Sequence, residues 1–174
     1  LFFFFIYILS AILLVNKITP NIKLISEYQR NYYAIGLRNI WHSQPECIEF
    51  SDNQIYVPKT TSCSFDNIEF KTIISFDEFG RTSDHPINNN KNGIVVLGDS
   101  YAMGWGVNDK ETFSYLLEKK INRPVYNLGV SGFGTIRELI RLQESGLLDK
   151  IDTIIVQYCY NDYGENVDYK KTTL

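Results

Sequence analysis

Histidine is scarce in this chain: there are two in 174 residues, His42 and His85, both in the first half. Imidazole chemistry therefore has few places to arise. The three cysteines, Cys47, Cys63 and Cys159, lack metal-ligand spacing, and neither a metal nor a cofactor is expected. A basic surplus is also missing. Seventeen Lys and Arg against twenty Asp and Glu leave a net charge of -3, with no footprint for nucleic acid. No internal repeat is visible. Neither Gly-x-Gly-x-x-Gly nor a Walker pattern follows the main apolar strand, and Gly104-Trp-Gly106 is too short to count, which weighs against a nucleotide binder. What remains is an ordinary globular composition, 44% hydrophobic and 21% charged, enough for one modest domain with appendages. The 12 Tyr and 11 Phe read as core and interface packing ahead of sugar stacking.

One long uncharged run is present, Leu1 to Val15, LFFFFIYILSAILLV. As a helix it would cover about 22 Å, whereas a span needs about 20 apolar residues. No small-residue cleavage site follows it. An uncleaved signal anchor over residues 1–16 is expected, ahead of a cleaved signal peptide or a buried core helix. The protein is then membrane-anchored and extracytoplasmic, periplasmic or on the cell surface. Cys47 and Cys63 bracket a polar, turn-rich stretch and are the expected disulfide. Closing that loop would stabilise the fold by about 3 kcal/mol. Cys159 lies in an apolar strand pattern and reads as a small buried hydrophobe.

Residues 17–92 read as a juxtamembrane helix over 22–41 followed by a small strand-rich extension. Ile48-Glu-Phe50 and Ile68 to Ile74 are its strand candidates. The polar loop Asn88 to Gly93 marks the boundary with a domain over 93–174. There the periodicity becomes α/β. Ile94 to Leu97, Val125 to Val130 and Thr153 to Cys159 are strands. Residues 111–121 form a helix capped by Asp109, with Phe113, Leu116, Leu117 and Ile121 on one face. Thr135-Ile-Arg-Glu138 is a capping-box pattern opening a helix with Ile136, Leu139 and Ile140 inward; Gly146 ends it. Alternating strands and helices imply a parallel sheet with its site beyond the carboxyl ends of the strands.

Three segments fall at those ends: Gly98-Asp99-Ser100, Asn127-Leu-Gly129 and Tyr160-Asn161-Asp162. A serine there can attack an ester if a base takes its proton. The tetrahedral oxyanion must meet donors already in place. Ser100 fits the nucleophile. The N–H of Gly129, which has no side chain to block close approach, and the amide of Asn161 fit the donors. Each motif alone is usually only a turn; the three in order carry the inference.

Together the three segments resemble the first three blocks of the SGNH/GDSL hydrolase family, over about residues 93–165. The resemblance implies a flavodoxin-like three-layer parallel sheet, incomplete at its C-terminus. Ser100 would be the nucleophile, Gly129 and Asn161 the oxyanion hole, and Asp99 a support for the loop. Cys159 stands where the family usually has Gly. The family's Asp-x-x-His block, which supplies base and carboxylate, is missing. Neither His42 nor His85 has an Asp three residues before it, and both precede Ser100. With Leu at its start and Leu174 just after a site loop, the chain reads as a piece of a longer protein. By itself it is expected not to turn over ester at a native rate. The resemblance implies a serine esterase acting through a covalent acyl-serine, on lipid esters, thioesters or acetylated sugars; the expected membrane anchor and extracytoplasmic domain make O-acetyl groups of cell-surface polysaccharide the first substrate class. An O-acetyltransferase of the same fold and a non-catalytic glycan- or partner-binding module are the alternatives.

Overall fold

The computed structural model describes residues 2–15, 40–67, 69–85 and 92–173. They divide into two units, Leu1–Arg38 and Asn39–Leu174. In the first unit one helix is described, α1 (Phe2–Val15), fourteen residues without a charge. It is about 21 Å long, against a hydrocarbon core of about 30 Å. Among the described residues no helix is long and apolar enough to cross a membrane. This overturns the expected transmembrane helix: over the described residues the apolar character is present, the length is not. The expected helix over 22–41 falls almost wholly outside the described residues; at its end Trp41–Ser43 forms a 3-10 turn.

The second unit is a mixed α/β structure. β1 (Ile48–Ser51) and β2 (Ile55–Pro58) form a separate antiparallel hairpin. A six-stranded sheet follows, made of β3 (Ser62–Asp66), β4 (Lys71–Asp77), β5 (Gly80–Arg81), β6 (Gly93–Gly98), β7 (Val125–Asn127) and β8 (Ile151–Gln157). Its order is β3-β4-β5-β7-β6-β8. β7, β6 and β8 run parallel, and β3, β4, β5 and β7 pair antiparallel. The sheet is therefore mixed, not wholly parallel. The extension is part of it rather than a separate layer, because β5 joins β7 through Arg81 opposite Asn127. Gly80 permits that junction. Its φ is +113°, and a Cβ there would run into the carbonyl of Asn127.

Every residue of β6 is buried, as a central parallel strand requires. Its side chains alternate between two cores. Val95 and Leu97 pack with Leu128, Leu142 and Leu147. Ile94 and Val96 pack with Ala102, Leu117 and Ile121. Four helices follow the strands: α2 (Ser100–Met103), α3 (Phe113–Ile121), α4 (Thr135–Glu144) and α5 (Asp162–Thr173). α3 is capped by Thr112, whose side chain accepts from Tyr115 N, and not by Asp109. Of its expected apolar face, Leu117 and Ile121 reach the core while Phe113 and Leu116 are exposed.

α4 differs more. No side chain caps it, so the expected capping box does not form. Ile136 and Leu139 are exposed, and Arg137, Glu138 and Leu142 are buried. The helix is turned so that charged residues face inward. A third core gathers Trp41, the Cys47–Cys63 disulfide, Phe65, Ile74 and Phe76 around Met103. The extension thus packs directly on the turn that carries Ser100. Cys159 lies past the end of β8 and is a half-buried free thiol rather than a strand residue.

Candidate functional site

Ser100 opens α2 immediately beyond the central strand β6 and is half-buried. Its carbonyl accepts from Gly104 N at 3.1 Å and Trp105 N at 2.9 Å, closing a tight turn. Asp99 is the pivot of that turn. It is buried; one carboxylate oxygen accepts from Tyr101 N at 2.9 Å and the other from Asn161 Nδ2 at 3.1 Å. One carboxylate thus fixes both the serine turn and the loop after β8. Asn161 spends one amide N–H on Asp99; the amide has a second.

Gly129 lies where the β7 loop passes closest to α2. A Cβ there would sit 2.5 Å from Met103 N and 2.8 Å from Ala102 C, so any side chain would force α2 or the loop to move. Its N–H, however, donates to Asn127 Oδ1 at 3.0 Å. The expected oxyanion donor is therefore already bonded within the chain. Asn127 Nδ2 reaches the other way, to Ala102 O and Ser114 Oγ, each at 2.8 Å. The side chain of Asn127 ties α2, α3 and the β7 loop together, a role the Asn127-Leu-Gly129 motif does not announce.

Arg81 is the second unannounced anchor. It is 1% exposed. Its guanidinium donates to Met103 O at 2.5 Å, Gly104 O at 2.7 Å and Val107 O at 2.5 Å, and to Asp109 Oδ1 at 3.0 Å. Burial holds its pKa below the usual arginine value, while Asp109 opposes that. Arg81 captures the carbonyls at the end of α2 and in the loop beyond. A lone Gly-Arg after a turn carries no periodic signal, so only the folded chain reveals it.

The two histidines stand elsewhere. His85 Nδ1 contacts Glu118 Oε2 at 2.5 Å, and the same carboxylate accepts from Val125 N at 3.0 Å and Ser83 Oγ at 2.7 Å. Val125 is the first residue of β7. His85 therefore sits at the amino end of the strands, roughly 20 Å of strand length from Ser100. His42 stacks near Tyr56, with ring centroids 6.0 Å apart. It lines a cleft of about 290 Å³ with Tyr56, Gly132, Arg137, Glu165 and Tyr169. Among the described residues, neither histidine is hydrogen-bonded to Ser100.

Arg137, 4% exposed, lies in that cleft wall between the rings of Phe133 and Tyr56. It donates to Gly132 O, and Tyr56 OH donates to Ser131 O at 2.7 Å. Burial raises Glu165 above the usual carboxylate range, with Arg137 opposing. No group of three or more His, Cys, Asp or Glu suited to a metal ion occurs among the described residues. In the comparisons with known proteins, the chain matches no family model and no curated protein.

Proposed function

We propose that this chain carries the nucleophile and oxyanion side of a serine ester hydrolase of SGNH type. The observation that carries the reading is convergence: Ser100, Gly129 and Asn161 stand beyond the carboxyl ends of three neighbouring parallel strands, with Asn161 tied to Asp99. The order β7-β6-β8, second-first-third along the chain, agrees with a flavodoxin-like sheet and its site at the strand ends. In this reading Ser100 Oγ attacks the ester carbonyl and gives its proton to a base. The oxyanion receives the second amide N–H of Asn161 and the Ser100 N–H. Collapse expels the alcohol, and water then hydrolyses the acyl-serine. The base is an imidazole held by a carboxylate, and neither His42 nor His85 supplies it.

O-acetylated carbohydrate is the substrate class we favour. The rings of His42, Tyr56 and Tyr169 beside Glu165 and Arg137 suit sugar faces and hydroxyls. The Cys47–Cys63 disulfide supports an oxidising, extracytoplasmic compartment. A second reading, a non-catalytic glycan-binding module of the same fold, is favoured by the Gly129 N–H being bonded to Asn127. Kinetics on an acetyl ester separate the two. The hydrolase reading expects an activated acetyl ester to acetylate Ser100 in a single turnover, with no such adduct in Ser100→Ala and with its formation slowed by about 10²–10³ in Asn161→Ala. Glycan binding that is unchanged in Ser100→Ala, with no acetyl group formed on Ser100, favours the module.

A further inference from the structure

Three buried carboxyl groups come together beside the candidate site, and two of them, Glu138 and Asp162, are short of donors. Asp99, Glu138 and Asp162 are 1%, 1% and 0% exposed. Asp99 is satisfied on both oxygens. Asp162 receives one bond, from Cys159 N to Oδ2 at 3.0 Å, and its buried Oδ1 receives none. Glu138 receives none on either oxygen. The three come from different elements: Asp99 follows β6, Glu138 lies in the first turn of α4, and Asp162 opens α5. The two helix starts touch here. A Cβ on Gly134 would lie 2.8 Å from Asp162 O, and Ile136 N donates to Asn166 Oδ1 at 3.0 Å.

The charges acting on Glu138 are Asp162 and Asp99, both negative. The arginines beside it on α4 are directed elsewhere, Arg137 to Gly132 O and Arg141 Nε to Leu128 O. Ionised carboxylates this buried, without donors or a counter-charge, are strongly unfavourable. One proton removes the repulsion and converts an acceptor into the missing donor.

We propose that Glu138 is a positioning residue: its carboxyl is protonated and donates to Asp162 Oδ1, and the bridged pair fixes the Cys159–Asp162 turn that carries Asn161. Burial, then Asp162 and Asp99, pushes Glu138 up to about 8, and burial also raises Asp162 above the usual carboxylate range. The positioning role rests on the reading of Asn161 as an oxyanion donor; the protonation does not.

The test is an NMR titration of the full chain, following the glutamate side-chain carboxyl carbons and the Asn161 amide together, with Glu138→Gln as comparison. The expected result is a Glu138 midpoint near pH 8 and an Asn161 shift with the same midpoint. Glu138→Gln, which keeps a donor without a charge, loses that step and holds Asn161 at its low-pH position. A Glu138 midpoint near the ordinary value of 4.5 overturns the proposal. So does an Asn161 amide indifferent to the titration, or a midpoint that moves on adding EDTA, which marks a bound cation in place of the proton. If Glu138→Gln does not fold, the wild-type carbon and amide midpoints still decide. An ester-inactive protein with both midpoints as expected faults the esterase reading and leaves the shared proton standing.

Discussion

At the scale of single residues, the site depends on close approach and on one amide. Gly129→Ala sets a methyl carbon 2.5 Å from Met103 N, so α2 or the β7 loop must shift. Its expected cost is about 1–3 kcal/mol in denaturant unfolding. Asn127→Ala removes the bond to Gly129 N and both donors to Ala102 O and Ser114 Oγ. It should cost about 2 kcal/mol and disturb the Ser100 turn. The Gly-Asp-Ser, Asn-Leu-Gly and Asn-Asp motifs were legible in the sequence because each sits where an apolar run stops. That Asn127, rather than an incoming substrate, takes the Gly129 N–H was not legible. It depends on how far the β7 loop closes on α2, which no local pattern records.

Elements position the site through buried charge. Arg81 links β5 to the end of α2 by three carbonyl bonds and an ion pair with Asp109. Arg81→Ala strands those carbonyls and should cost about 3 kcal/mol or more. Arg81→Lys should recover little, since an ammonium cannot match the fork. At the junction of α4 and α5, Glu138 sets a pH dependence. Its folded-state pKa of about 8 lies above the ordinary 4.5, so the folded state holds a proton that the unfolded state has released. The stability is fully present below about 4.5 and is lost as pH rises through about 8. Melting temperatures from pH 5 to 9 should fall in the wild type and fall less in Glu138→Gln. The helix of α4 was legible in the sequence, but its orientation was not. Ile136 and Leu139 suggested the inward face, and Thr135 to Glu138 a capping box, yet Arg137 and Glu138 occupy the interior. Hydrophobic periodicity assumes that apolar residues win the core, and here the polar cluster beside Asp99 and Asp162 overrides it. α5 was missed because Gly164 and a polar composition leave no apolar stripe.

The whole second unit hangs on long-range joins. β3, β4 and β5 extend the sheet begun by β6, β7 and β8, and their core closes over Met103 behind Ser100. The strands of each half were readable from alternation and apolar runs. Their union was not, because one short strand, β5, makes it through Arg81 opposite Asn127. The Cys47–Cys63 bridge ties the loop before β1 to β3 within that shared core. Replacing both cysteines by serine should cost about 3 kcal/mol. A dithiol reductant should lower the melting temperature of the wild type but not of the double variant. Because this core backs the turn that carries Ser100, the same change should also loosen the Ser100 loop. The central claim, that Ser100 carries an acyl group, is tested most directly by acid-quenching the protein during reaction with p-nitrophenyl acetate and mapping the acetyl group by mass spectrometry. The account predicts an acetyl ester on Ser100 that is absent from Ser100→Ala. Ester turnover persisting in Ser100→Ala, or no acetyl group on Ser100 while the ester is consumed, would contradict it.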